Sequence, residues 1–535
     1  MSNAQWLSSA IERGCVLTTA GFAVARANFR PERPDRLARA VGAMAVYGTT
    51  VTGAVAAGAA RYPTATAIVD EDGTVSYARL WAASDNLAAW LATRGIDHRS
   101  RVGILAGNSR AFVFAFLGAS KLGADIVYLN TGFASPQLVD VVAREGVTHL
   151  LHDDAFAPSV SDCDVELAVS MGELDDVVGT PWRPMVPTRR QGATVILTSG
   201  TTGRPKGARR SGPGSLSGAG GLLAVLPLRA RDTVVIAAPL FHGWGLAHLG
   251  MGLTMSSTVV LHRRFDAATT LAAVAEHGAD GLVVVPVMMQ RMLQLGGAEL
   301  DRHDTSALRY IASGGSSIPS HVVGDVLDRF GAVLYNVYGS TEVALATIAT
   351  PAQLRAHPST AGRVVSGSVV RILDDLGDPV DDGAVGRIFV ANASRFDGYT
   401  GGGGKTQVGR LLSSGDVGHF HDGLLFVDGR EDDMIVSGAE NVFPTEVEDL
   451  IGEMPAVADA AVVGVPDDEY GQRLVAYVVR RPGRQLDEAD VVAHVRSQLA
   501  RYKVPRSVTF VDELSRTATG KLRRQDLVIG ASAEK

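Results

Sequence analysis

Cysteine is nearly absent from this chain: Cys15 and Cys163 stand far apart, without His or Cys neighbours. No disulfide framework and no structural zinc site can be assembled from them, and such usage fits a reducing compartment, the cytoplasm. An excess of positive charge is missing too. Fifty Lys+Arg face 57 Asp+Glu, for a formal net charge of -7. That argues against nucleic acid as a partner, because phosphate backbones require concentrated positive charge. The start of the chain lacks the basic-then-apolar order of a signal peptide. The uncharged stretch between Arg39 and Arg61 is long enough for a membrane span, but eight Ala and four Gly leave it little apolar bulk. Val51, Val55 and Ala59 recur at helical spacing, so this stretch reads as a domain-opening helix ending before Tyr62-Pro63. No internal repeat is present.

A chain of 535 residues is too long for one hydrophobic core. Hydrophobic residues at 46% and charged residues at 20% give the balance of a globular protein. Glycine is the outlier at 60 residues, and glycine beyond the need of turns often brings backbone close to a ligand. Apolar runs at 102–105, 195–197, 233–237, 282–285 and 310–312 read as strands, with helices such as 266–277 between them. The alternation predicts α/β layers with largely parallel sheets. Around 363–395 short strands broken by Asp/Gly turns predict a small β-barrel or meander. The last hundred residues predict a compact α+β unit: a helix from Glu446, strands at 460–465 and 474–479, and a helix from Asp487. The boundary is expected after Asp428-Gly429-Arg430. The reading is an arm at 1–48, a large domain at 49–431 and a small domain at 432–535. The arm carries six Arg against Glu12, Glu32 and Asp35, with Trp6, Leu7, Val16, Leu17, Phe22 and Phe29 interspersed. It fits either peripheral contact with an anionic membrane surface or packing on its own domain.

The chemistry concentrates in Thr198-Ser199-Gly200-Thr201-Thr202-Gly203-Arg204-Pro205-Lys206-Gly207, directly after the strand 195–197. Glycines let successive N–H groups converge, hydroxyls add donors and Lys206 adds a point charge, which together suit a polyphosphate. The order is not the Walker pattern. The run Gly401–Gly404 before Lys405-Thr406 comes closer to it, but Tyr399 stands where its first glycine belongs.

The ten-residue string resembles the phosphate loop of the adenylate-forming superfamily, which includes acyl-CoA synthetases, peptide-synthetase adenylation domains and beetle luciferases. Further motifs follow in the same order as in that superfamily. Tyr338-Gly339-Ser340-Thr341-Glu342 resembles its Y-G-x-T-E element and Ser414-Gly415-Asp416 its T-G-D element. Gly429-Arg430-Glu431-Asp432-Asp433 resembles the hinge, Ser437–Glu448 the loop after it, and Thr519-Gly520-Lys521 the terminal catalytic element. The resemblance implies an ATP-dependent carboxylate-activating ligase whose small domain is mobile. ATP, Mg2+ and CoA are its expected co-substrates and cofactor. It assigns Glu342 and Thr198 to the metal, and Thr341 to the phosphates. Asp416 falls to the ribose hydroxyls and Arg430 to the ribose or phosphate side. Gly314, Gly315 and Ser316 become the adenine platform, with Asn336 at the amino edge and Tyr338 and Gly339 along the ring. His242 lies beside the acyl carboxylate, Asp432 is the pivot, Gly438 lies in the thiol tunnel, and Lys521 bridges carboxylate and α-phosphate. Trp244 reads equally as a gate to an acyl tunnel or a core aromatic. His419 and His421 have H-x-H spacing without partners suited to zinc.

Three positions depart from the family pattern. Ser515 replaces a frequent proline, Ser414 a threonine and Ala439 a glycine. The segments Leu246–Gly252 and Val343–Ile348 offer no charge to pair with an amino-acid ammonium, so an aliphatic acid is expected and a fatty-acid–CoA ligase leads. The rivals are a fatty-acyl-AMP ligase loading a carrier protein in trans and a catalytically silent nucleotide-binding scaffold. Intact Lys206, Glu342, Asp416 and Lys521 count against the last.

Overall fold

The computed structural model describes residues 33–528 apart from 186–187, 189, 200–204, 212–215, 393, 395, 438–439, 468–470, 518–519 and 525. Three sheets carry the architecture. In the first, apolar strands Asp125–Tyr128, Arg101–Leu105, His149–His152 and Leu167–Ser170 run parallel, and Thr194–Ser199 joins them parallel to Asp125–Tyr128. Pro205–Arg210 then returns antiparallel beside Thr194–Ser199, and Gly398–Tyr399 forms the edge. The near-continuous burial of Arg101–Leu105, Asp125–Tyr128 and His149–His152 is what a sheet centre covered on both faces requires.

A second sheet has a parallel centre of Thr258–Leu261, Thr233–Ile236, Gly281–Val284, Tyr310–Gly314 and Leu334–Ser340. The strand expected at 310–312 therefore runs on to Gly314. The Asp/Gly-punctuated meander appears as Thr360–Val364, Ser368–Leu373 and Gly386–Asn392 with the hairpin Leu411–His421/Leu424–Arg430. It joins the large sheet through the pairing of Ala344–Ala349 with Thr360–Val364.

Helices fill the faces. Arg110–Lys121 is started by Ser109, whose hydroxyl accepts the Phe112 N–H, and buries Phe112, Val113 and Leu117. Within this packing lies an ion pair. Lys121 Nζ sits 2.6 Å from Asp85 Oδ1, with side chains 1% and 2% exposed, and 3.4 Å from the Trp81 ring centroid. Burial pushes this lysine down to about 8, against the pull of Asp85.

The C-terminal strands Ile435–Ser437, Glu440–Val442, Val457–Asp467, Gly471–Arg480 and Ser507–Phe510 form the third sheet, covered by helices Pro444–Gly452 and Glu488–Gln498. Its core, including Ile435, Val447, Ile451, Val462, Val478 and Val495, is a cluster separate from the core of the large lobe. The two lobes meet where Pro444–Gly452 packs on Ser320–Phe330. There Asp449 faces Ser320 Oγ at 3.5 Å, and a Cβ added to Gly452 would come 3.0 Å from His321 Nδ1.

Part of the expected arm is a helix, Pro34–Tyr47, which packs on Val51–Arg61 and brings Tyr47 edge-on to Trp81 at 4.9 Å. Trp6, Leu7, Val16, Leu17, Phe22, Phe29 and Cys15 lie outside the described residues. Among the described residues no helix is long and apolar enough to cross a membrane. The H-x-H pair is explained by strand pairing: His419 Nδ1 lies 3.0 Å from Asp428 Oδ2 across the hairpin, and its ring stacks on Phe426. No group of three or more His, Cys, Asp or Glu suited to a metal occurs among the described residues.

Candidate active site

The ends of the parallel strands of the second sheet, the return strand of the first and the Gly520 turn of the small lobe come together in one place. Ligand crevices at the carboxyl ends of parallel strands are the general rule for α/β sheets. Gly314, Gly315 and Ser316 follow directly on the strand Tyr310–Gly314. Gly315 has φ +94°, a conformation that favours glycine, and a Cβ on Gly314 would meet the Val337 carbonyl at 2.9 Å and the Trp244 ring at 3.3 Å. Trp244 is fixed there by its indole N–H, which donates to the Val284 carbonyl at 2.9 Å. This is the geometry of a packed aromatic wall.

On the next strand the Tyr338 hydroxyl donates to Asp416 Oδ2 at 2.6 Å. Burial raises the Asp416 carboxyl above its ordinary range, opposed by Tyr338, Arg430 and Lys521. Ser414 preserves the local turn: its hydroxyl donates to the Ile388 carbonyl at 3.1 Å and accepts the Asp416 N–H at 3.1 Å. Asn336 directs its amide N–H to the Thr360 carbonyl at 3.2 Å. Gly339 has no room for a side chain, because a Cβ would strike the Ala344 carbonyl.

Glu342 is buried at 7% exposure. Each of its oxygens accepts one hydroxyl: Oε1 from Tyr399 at 2.9 Å and Oε2 from Ser340 at 3.0 Å. The Thr341 carbonyl accepts from the Arg210 guanidinium at 2.6 Å. Lys206, at the surface of the cleft, places Nζ 5.5 Å from the Tyr399 ring centroid. Thr198 donates its hydroxyl to the Lys206 carbonyl at 3.3 Å, closing the base of the phosphate loop. Ser199 ends the strand Thr194–Ser199. Gly200, Thr201, Thr202, Gly203 and Gly438 lie outside the described residues, as do Ala439 and Thr519.

The small lobe completes the cleft. Arg516 holds Asp459 through two hydrogen bonds of 2.9 and 2.8 Å and donates to the Gly520 carbonyl at 3.0 Å. Gly520 turns at φ +78° and lies against Val285 and Val287 of the large lobe. Lys521 then enters the cleft, where water still reaches it although protein crowds it on most sides. Burial and the like charge of Arg430 lower its pKa, while Asp416, Glu342 and Asp433 pull the other way. His242, which caps the helix Gly243–Thr254, is pushed down to about 3 by burial and by the charge of Lys521. Its ring is neutral at ordinary pH, and Nε2 is buried with no hydrogen-bond partner. Arg430 pairs with Asp432, Nε to Oδ1 at 2.8 Å, at the turn between the lobes.

Residues 198, 206, 242, 314, 338, 340–342, 416, 430 and 521, scattered over 324 positions of sequence, are thus brought together by contacts and charge neighbours. Sequence reasoning missed Arg210, a crowded guanidinium beside Glu342, and Tyr399, which stood out only for spoiling a Walker pattern. Their signal is slight: Arg210 follows the phosphate loop by three residues, and Tyr399 precedes a glycine run.

Residues 55–400 match the AMP-binding enzyme family and residues 446–521 the AMP-binding enzyme C-terminal domain. An indoleacetate–CoA ligase from Aromatoleum aromaticum is 33% identical, with 87% of this chain and 95% of the relative covered. A fatty acid–[acyl-carrier-protein] ligase from Streptomyces coeruleorubidus is 30% identical, covering 87% of this chain and 93% of the relative. Among solved structures, an o-succinylbenzoate CoA synthetase from Bacillus subtilis with its acyl-adenylate intermediate superposes at a TM-score of 0.79, with 27% identity and coverage of 89% and 97%. Family matches in both lobes, together with the lysine-bearing turn seated in the cleft, make this chain a member of the AMP-binding enzymes, the adenylate-forming superfamily whose motifs it carries.

Proposed function

We propose that the protein is an AMP-forming acid–CoA ligase acting on an apolar, aliphatic carboxylate, with fatty acids as its substrates. The observation that carries the reading is the entry of Lys521, from the small lobe, into a cleft holding Asp416, Glu342 and the unpartnered His242 ring.

A carboxylate is not attacked by a thiol directly, since oxide is too poor a leaving group. Joining it to AMP makes a mixed anhydride. In the first step a carboxylate oxygen attacks the α-phosphorus of ATP and pyrophosphate departs. Two anions must approach, so the protein supplies charge and geometry rather than a nucleophile. Lys521 stands where one ammonium can face both. Asp416, held by Tyr338, suits the ribose hydroxyls, while Lys206 and Thr341 face the phosphates and His242 offers Nε2 to the carboxylate end. The adenine base fits against Gly314-Gly315-Ser316, where a side chain is excluded.

Glu342, with the hydroxyl oxygen of Thr198, would hold Mg2+ arriving with the nucleotide. A single carboxylate with spare lone pairs suits a cation bound mainly by phosphate oxygens, and the metal would neutralise phosphate charge there. In the second step CoA thiol attacks the acyl-adenylate carbonyl and AMP leaves. For this the small lobe turns at Asp432, withdrawing Lys521.

An apolar acid is favoured by the segments Leu246–Gly252 and Val343–Ile348, which contain no Asp, Glu, Lys or Arg to pair with a charged substrate group. The fatty-acid ligase relative supports the aliphatic class and makes a carrier protein in trans the alternative acceptor. Aromatic acids are the second reading, favoured by the indoleacetate relative and by the Trp244 wall. Pyrophosphate release from ATP, measured with fatty acids of graded length and with arylacetates, with and without CoA, separates these. Thioester from fatty acids is the expected product. Accumulating acyl-adenylate points to a carrier, preference for aryl acids to the second reading, and no ATP consumption with any acid refutes the ligase.

A further inference from the structure

Lys206, on the return strand Pro205–Arg210, and the buried Glu342 are not ion-paired to each other. What stands with both is Tyr399. Its ring faces Lys206 Nζ at 5.5 Å, within cation–π range. Its hydroxyl donates to Glu342 Oε1 at 2.9 Å. The position is built rather than accidental. The edge strand Gly398–Tyr399 pairs antiparallel with Pro205–Arg210, setting Tyr399 opposite Ala208. The Thr400 N–H donates to the Gly207 carbonyl at 2.9 Å, and the Thr400 hydroxyl donates to Glu145 Oε2 at 2.5 Å. Glu145 is itself buried, at 1% exposure. Phe396 packs on the Tyr399 ring at 5.1 Å.

We propose that Tyr399 is a positioning residue that aims Glu342 at nucleotide-borne Mg2+ while its ring keeps Lys206 apart from that carboxylate and free for phosphate. A direct ion pair would neutralise both groups for the ligand. A neutral aromatic spacer holds each through a different edge and cancels neither charge. With Tyr399 on Oε1 and Ser340 on Oε2, the carboxylate is fixed in orientation while each oxygen retains a lone pair. The inference rests on the reading of Glu342 as the metal carboxylate.

The test measures ATP binding by calorimetry on the full chain, with Mg2+ and with EDTA, for wild type, Tyr399→Phe, Tyr399→Leu and Glu342→Gln. Phenylalanine keeps the ring and removes only the hydroxyl, so melting temperature and metal-free ATP affinity are expected within twofold or a few degrees of wild type. The gain in ATP affinity that Mg2+ confers is expected to shrink five- to tenfold. Leucine removes the ring as well and is expected to weaken metal-free ATP binding several-fold besides. An undiminished Mg2+ gain in Tyr399→Phe, or equal losses with and without metal, overturns the positioning role. If Glu342→Gln abolishes the gain while Tyr399→Phe retains it, only the assignment to Tyr399 falls. If Glu342→Gln leaves the gain intact, the metal reading beneath it falls.

Discussion

Replacing Lys521 by alanine removes one charge from the cleft and leaves its support in place. The Arg516–Asp459 pair and the Gly520 turn do not involve the lysine side chain. An ammonium about 4 Å from an anionic oxygen contributes about 4 kcal/mol at an effective dielectric near 20, which corresponds to roughly a thousandfold in rate. That loss should fall on the first step alone. Asp416 keeps Tyr338 and Arg430 as partners without Lys521, so the ATP dissociation constant should change less than about threefold, the order of one exposed charge contact. The assay is single-turnover formation of acyl-adenylate from ATP and acid, set beside thioester formation from pre-formed acyl-adenylate and CoA. The first rate is expected to fall about a thousandfold, and the second to stay within a few fold. Because crowding and Arg430 lower the pKa of this lysine, the first step should also lose rate on the alkaline side at a lower pH than a free lysine would impose. Equal losses in both half-reactions, or a first step within tenfold of wild type, would refute the role of Lys521.

Asp449 between the lobes is pushed up to about 7 by burial and by Glu448. A carboxyl raised above its unfolded value holds its proton in the folded state, so its contribution is intact below about pH 4 and is lost as pH rises through 7. The stability advantage of Asp449→Asn over wild type should therefore grow from pH 5 to pH 8 by on the order of 2–3 kcal/mol; an equal difference in urea unfolding at the two pH values would contradict this. Lys121→Ala leaves Asp85 charged and buried, with a loss of about 3–5 kcal/mol expected in urea unfolding. Gly520→Ala places a Cβ at φ +78° and 2.6 Å from Val287 Cγ1, and the left-handed conformation alone costs about 1 kcal/mol. Acyl-adenylate formation should fall more than the CoA step, and equal effects on both would argue against the turn's docking.

Local signals in the chain were enough for much of this protein. Period and punctuation marked the strands at 102–105, 195–197, 233–237 and 282–285, because fully buried parallel strands must be apolar throughout. The phosphate loop and the ordered motifs were legible because converging backbone and a point charge demand glycine, hydroxyl and lysine in sequence. Tertiary structure decided what depends on distant segments meeting. It paired Tyr338 with Asp416 across 78 residues and made Trp244 a wall on Gly314. It paired His419 with Asp428 and set Tyr399 beside both Lys206 and Glu342. A side chain's type is written at its own position, whereas its electrostatic partner and its burial are properties of the packed sheets, which bring together residues that no spacing rule connects.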